Sequence, residues 1–482
     1  MSPVGQTSRS AAGFQARPSR WVGFGLARRR AGLPRIALLL FCGSLFRAES
    51  LTITVLATTD LHGNLYPIDY VTDRPAPRGL AKIATLISAA ASENPNHLLI
   101  DCGDTIQGTP LESVYQSAVE KGRKPGADPM ILAMNRLGYD AMTVGNHEYN
   151  FGLKNLNAAR DAAHLPWLSA NTVVASSASD RPFAPYLVKT VAGIKVAVIG
   201  ITTPVVPTWE RAGVAWKLTG KHRRVIPVTS ETPAAADVLE IGRPYHDAAE
   251  RYLNTPVGTS ERAFDAALGR VADTAVVDAI QQVQLFYGRA DVSFTALFNA
   301  SVRIPKGQVT VRQIAALYPY DNELYVIEGT GRMVKDALEN AARYYRSCVG
   351  DGCGKGPLVN HEVMGFNYDM AEGVEYAIDL ERPEGDRIRD LRRHTQLLAM
   401  DAKLRIAVND YRAAASAGYS MFRGAKIVWR SGDVIRDLMI RFYTDRTSLP
   451  AEAIGNWRVL PELAQRTLEK EAAEDAARQH LH

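Results

Sequence analysis

Three times before residue 150, an apolar run of strand length stops at a carboxylate, an imidazole or an amide. That repetition limits the folds open to the chain. Leu51-Thr52-Ile53-Thr54-Val55-Leu56-Ala57 alternates as a strand does and runs into Thr59-Asp60-Leu61-His62-Gly63-Asn64. His97-Leu98-Leu99-Ile100 leads into Asp101-Cys102-Gly103-Asp104, and Ala141-Met142-Thr143-Val144 into Gly145-Asn146-His147-Glu148. Polar residues set directly after apolar strands stand where α/β sheets keep their sites. Asp60 and His62 lie two apart, so extended backbone would turn both side chains to one side.

Taken singly, each aspartate reads as a turn former or helix cap. Taken in order, the three motifs supply mixed oxygen and nitrogen donors, which suit two divalent ions of the zinc, manganese or iron kind better than calcium alone. A bridging Asp104 would hold the ions close together. Two ions gripping an attacking and a leaving oxygen suit in-line displacement at phosphorus.

The 482 residues are enough for two or three domains, and 46% hydrophobic with 22% charged residues is globular composition. The formal charge of +5 is misleading, because eight of the 56 Lys and Arg residues precede Glu49, the first acidic residue. The remainder carries 48 basic groups against 51 acidic ones, a net of −3. A slightly acidic body argues against a nucleic-acid duplex as partner.

Residues 28–48 run from an arginine cluster (Arg28, Arg29, Arg30, Arg35) through apolar residues 36–46 to a short polar step. That is the order of a secretory signal peptide, and the apolar run is too short to span a bilayer. Export to the periplasm or medium is expected, with an N-terminal anchor as the other reading and no membrane span once the signal is removed. Of the remaining cysteines, Cys348 and Cys353 flank a turn-rich stretch that a disulfide would close in an oxidising compartment. Cys102 is expected to be a small buried side chain.

With these motifs in place, the sequence resembles the calcineurin-like metallophosphoesterases, and more closely the exported 5′-nucleotidases and 2′,3′-cyclic-nucleotide 2′-phosphodiesterases. The resemblance implies that Asp60, His62, Asp104 and Asn146 are metal ligands, with Asp104 the bridge, and that His147 is the catalytic histidine. Gln107-Gly108 and Ser169-Ala170-Asn171-Thr172 are similar to companion segments of that family. Asn150 stands where the 5′-nucleotidase branch has an aspartate, as in the cyclic-phosphodiesterase branch.

A second resemblance, to the family's nucleotide-binding C-terminal domain, rests on Gly307-Gln308-Val309-Thr310, Tyr318-Pro319-Tyr320-Asp321-Asn322, Pro383-Glu384-Gly385-Asp386 and Val408-Asn409-Asp410-Tyr411-Arg412. It implies that Tyr411 stacks on the base, with Tyr320 the candidate for the opposite ring. From the residues alone, Tyr318 and Tyr320 read as core or turn positions. Asn299 and Arg303 are loose matches to polar contacts.

The implied fold is α/β: an incomplete four-layer α/β/β/α metallophosphoesterase sandwich, followed by a second α+β nucleotide-binding domain. The boundaries expected are 1–48 for the signal and extension, 49–215 for the first domain and 216–260 for a connector, with a helix from Pro244 to Leu253. The second domain follows at 261–443, and 444–482 is a tail.

The chain departs from the family in two places. The resemblance implies a further strand ending in a ligand histidine and then a Gly-His-x-His turn, yet Thr208-Trp209-Glu210-Arg211 passes directly to Ala215-Trp216-Lys217. None of the later histidines, His222 and His246 included, has such a setting. One ion keeps Asp60, His62 and Asp104; the other keeps Asp104 and Asn146, and is expected to be weak or missing. Strands lost from a buried parallel sheet would expose apolar edges. After Tyr411-Arg412, alanines replace the family's glycines, which predicts a reshaped loop. A metal-dependent hydrolase of nucleotide phosphoesters is the leading reading. A nucleotide-binding protein without turnover and a truncated gene product are the alternatives.

Overall fold

The computed structural model describes residues 51–123, 125–173, 181–203, 226–450 and 452–479. The signal-like segment, the junction at 208–217 and His222 lie outside them. The described residues from Thr52 onward form one compact unit.

The three motif-bearing runs are adjacent strands of one sheet. Thr54–Thr58, His97–Asp101, Ala141–Thr143 and Trp167–Leu168 lie side by side in that order, every pair parallel. Parallel neighbours require crossovers, and helices supply them: Leu80–Glu93, then Pro110–Glu120 and Pro129–Leu137, then Gly152–Ala162. All three motifs therefore leave the same edge of the sheet.

Of the sandwich's second sheet, the described residues show an antiparallel hairpin, Tyr186–Val191 with Ile194–Ile199. Alternation along it puts Tyr186, Val188, Ala197 and Ile199 on one face, and that face is bare: Tyr186 is 58% and Ile199 64% exposed. A shortened sandwich is expected to expose apolar sheet edges; the described residues show instead a bare hairpin face.

The helix expected from Pro244 begins instead at Ala236 and runs to Leu253 with Pro244 inside it. It packs on the helices of the first half, where Gly242 lies so close that a Cβ would meet Leu65 Cδ2 at 2.2 Å. Lys82 ties the preceding turn down, its ammonium donating to the carbonyls of Thr229, Ser230 and Thr232.

The second half is built on a mixed five-stranded sheet, in the order Asp369–Glu372, Val292–Ala296, Lys403–Asn409, Glu323–Thr330, Ile427–Val434. The residues expected to be a tail are part of the fold. Trp457–Leu460 pairs in parallel with Glu375–Asp379, and a helix covers Glu462–Gln479. Cys348 and Cys353 form the disulfide. Cys102 is exposed rather than buried, because it faces outward between two inward anchors, Asp101 and Gly103.

Candidate metal and nucleotide site

Extended backbone is not what aligns Asp60 with His62. The strand ends at Thr58, and Asp60, His62 and Asp104 all take left-handed conformations, with φ of 53°, 47° and 61°. Such backbone costs of the order of 1–3 kcal/mol per non-glycine residue and persists only where surroundings over-determine it, commonly at functional sites. The surroundings here are a ladder that continues past the strands: Asp60 N donates to Gly103 O at 3.0 Å, His62 N to Asp104 O at 2.8 Å, and Gly63 N to Thr105 O at 2.8 Å.

The result is a cluster. Ligand atoms of His62, Asp104 and His147 all lie within 4.8 Å of one another. His62 Nε2 is 3.7 Å from Asp60 Oδ1, and the two imidazoles meet edge to face at 5.0 Å. The amide of His147 donates to Asp104 Oδ1 at 2.9 Å. Close approach forces glycine at 145, where a Cβ would stand 2.2 Å from that same oxygen. Asn146 precedes His147 on the wall of a cleft of about 570 Å³ between the two halves. His246 is elsewhere, stacked on Tyr66 at 4.2 Å and bonded to Tyr70.

Both histidines are oriented by their other nitrogen. His62 Nδ1 lies 3.3 Å from Gln107 O, and His147 Nδ1 3.0 Å from Asn150 Oδ1. Imidazoles that bind metals are commonly fixed in this way, and the carboxylate and imidazole set fits a divalent ion of the zinc or manganese kind. Burial holds the His147 imidazole below its ordinary value, opposed by the Asp104 carboxylate.

Two anchors escaped the sequence reading. Glu148 is wholly buried, and its carboxylate accepts from the amides of Gly145 (2.7 Å), Asp104 (3.0 Å) and Thr105 (2.6 Å), clamping two of the three loops together. Burial pushes it up to about 7. Asp101 accepts from Thr58 Oγ1, Gly103 N and Thr105 Oγ1 at 2.6–2.9 Å, and burial raises it to about 6. The signal was an acid inside an apolar or glycine-bounded motif, a setting that an acid tolerates only with partners. Ser169-Ala170-Asn171-Thr172 serves similarly: Asn171 and Thr202 exchange two bonds, and Thr202 Oγ1 donates to Val144 O at 2.8 Å.

In the second half Asp321 and Asp410 line the cleft while Tyr320 and Tyr411 do not, and the two tyrosines of residues 318–320 divide. Tyr318 is core, bonded to Asn409 at 3.3 Å, whereas Tyr320 is 46% exposed with Phe298 edge-on at 5.0 Å. Tyr411 is half-buried, with the Arg412 guanidinium 5.2 Å from its ring centre and Arg412 itself paired to Asp369 at 2.7 Å. Burial raises the Tyr320 phenol, with Arg270 lowering it and Tyr411 raising it further, so the two tyrosines are electrostatic neighbours. Arg303 is engaged with Asp265, and Asn299 with the Ser301 amide. In the alanine loop, Ala415 and Ala417 adopt left-handed backbone, with φ of 63° and 53°, a conformation that glycine takes more readily.

Residues 53–199 match the calcineurin-like phosphoesterase model, and residues 256–424 the 5′-nucleotidase C-terminal domain. A 2′,3′-cyclic-nucleotide 2′-phosphodiesterase/3′-nucleotidase of Salmonella typhimurium is 24% identical over 585 residues, covering 86% of this chain and 90% of its own. That stretch is longer than the whole chain, so the relative carries residues that face gaps here. A trifunctional nucleotide phosphoesterase protein of Bacillus subtilis is 23% identical over 86% of this chain, which spans only 39% of that relative. The fold is shared with a Staphylococcus aureus protein assigned as a 5′-nucleotidase, at a TM-score of 0.70 and 22% identity over 84% of this chain and 99% of that one. The two successive domain matches show that the chain joins a calcineurin-like phosphoesterase domain to a 5′-nucleotidase C-terminal domain.

Proposed function

We propose that the chain is an exported, metal-dependent hydrolase of nucleotide phosphoesters, of the 2′,3′-cyclic-nucleotide 2′-phosphodiesterase and 3′- or 5′-nucleotidase type. The observation that carries this reading is the gathering of Asp60, His62, Asp104 and His147 beyond the ends of three parallel strands. Relatives with these activities align with most of the chain, which supports the substrate class.

Asp60, His62 and Asp104 would hold one divalent ion. Asp104 and Asn146 would hold a second, with fewer donors among the described residues and hence more weakly. Bound ions supply positive charge against the phosphate oxygens. His147, its Nδ1 committed to Asn150, stabilises charge on the phosphate. Tyr320 and Tyr411 receive the base, at roughly 1–3 kcal/mol per stacked ring and with little regard to its identity. Export is supported by the signal-like order of residues 28–48 and by the disulfide. No helix among the described residues is long and apolar enough to cross a membrane.

The test is phosphate release from 3′-AMP and 5′-AMP and ring opening of 2′,3′-cyclic AMP, with added manganese or zinc. Turnover of at least one, abolished by chelation and restored by metal, is expected. Inertness towards all three with either metal overturns the proposal.

A further inference from the structure

Among the described residues, Gln107 and Arg312 each make polar ties that join the two halves of the chain. In the first, Gln107 Nε2 donates to Asp321 Oδ2 at 2.7 Å, while the other carboxylate oxygen accepts from Arg436. In the second, Arg312 donates to the carbonyl of Tyr70 at 2.6 Å and to the carboxylate of Glu250 at 2.7 Å. The first tie is largely buried, with the Asp321 and Arg436 side chains 6% and 12% exposed where they line the cleft, and Gln107 buried.

The first tie also reaches both parts of the proposed site, the ion cluster and the tyrosine pair. Gln107 presents its carbonyl to His62 Nδ1, and a Cβ on Gly108 would lie 2.8 Å from His62 Cβ. At the other end, Asp321 follows Tyr320 and precedes Asn322. Asn322 donates at 2.8 Å to Asp410 Oδ1, which also accepts from the Tyr411 amide. A chain of close contacts thus runs from the two tyrosines to an imidazole of the metal cluster. The Arg312 tie reaches neither tyrosine.

We propose that the Gln107 to Asp321 bond couples the tyrosine pair to the ion cluster, so that a base seated against Tyr320 and Tyr411 strengthens ion binding at the His62 cluster. Restraining residues 320–322 and 410–411 fixes Asp321, a fixed Asp321 holds Gln107, and the Gln107 carbonyl sets the His62 ring. The orientation of a ligating imidazole through its second nitrogen governs metal affinity. Gln107 and Asp321 are therefore positioning residues. The inference rests on the proposed roles of the tyrosines and the cluster, and does not require that hydrolysis occur.

Because coupling between two sites is reciprocal, it is measurable without turnover. Manganese is titrated calorimetrically into the full chain with and without saturating adenosine, which has the base and no phosphate. In the unaltered chain adenosine tightens manganese binding about 5–10-fold, and manganese tightens adenosine binding by the same factor. Gln107→Met preserves volume and leaves the Asp321 to Arg436 pair intact; it abolishes that factor while each probe alone still binds. Arg312→Met cuts the other tie and retains the factor. The coupling is overturned if adenosine leaves manganese affinity unchanged in the unaltered chain, if the factor survives Gln107→Met, or if Arg312→Met removes it equally. An unaltered chain that shows the factor yet releases no phosphate sinks the hydrolase reading and supports the coupling.

Discussion

The metal loops and the loop after Tyr411 hold non-glycine residues in the same left-handed backbone, to different effect. At His62 and Asp104 the strained residues carry donor atoms into one cluster and at Asp60 to the side of His62, and buried acceptors such as Glu148 hold the strain in place. At Ala415 and Ala417 the side chain is a methyl group, and the turn is closed by ordinary backbone bonds such as Ala415 N to Arg412 O at 2.8 Å. Strain marks a chemical site only where the strained residues bring chemistry with them.

The comparison breaks most severely at Asp104. Asp104→Asn keeps shape and the bond from the His147 amide but loses the charge shared between ions. Loss of a supporting partner already costs about 10–100-fold in metal affinity or activity, so a larger fall is expected here, read by manganese titration and phosphate release. Glu148→Gln comes next. It puts an amide donor against backbone donors, so unfolding in urea should show a loss of about 1–3 kcal/mol or more, with metal affinity falling about 10–100-fold.

A third test asks what the first loop rests on. Gly63 packs directly on Glu112, which shares a buried site with Asp128. Burial raises Glu112 well above the usual carboxylate range and Asp128 to about 6. Both acids bind protons more tightly folded than unfolded, so their contribution is fully present below the unfolded value near 4 and fades as pH rises through 6. Urea midpoints should fall between pH 4 and pH 7, and Glu112→Gln should flatten that slope. The smallest effect is at the alanines. Ala415→Gly and Ala417→Gly relieve left-handed strain of roughly 1–2 kcal/mol each, offset in part by unfolded-state entropy, so a gain of about 1 kcal/mol or less is expected in thermal unfolding.

How much of this could be read in advance follows the range of the interactions. The strand ends were legible because alternation and a following polar residue are local signals, and so was the disulfide. The turn geometry at Asp60 and His62 was not, because it is imposed by Gly103, Asp104 and Thr105, some forty residues away. Glu148 stood in the motif without a role, since its partners are amides that no side-chain pattern reveals. Trp457–Leu460 read as tail because its pairing partner, Glu375–Asp379, is remote, and Pro244 read as a helix start because tertiary packing overrode its usual preference.

The bare hairpin has a practical consequence. A protein that turns Tyr186, Val188 and Ile199 outward meets its own copies on a sticky surface, so its recovery should worsen as concentration rises, independently of any chemistry at the strand ends. Charged replacements on that face, such as Val188→Lys and Ile199→Glu, are therefore the first step toward enough material for calorimetry.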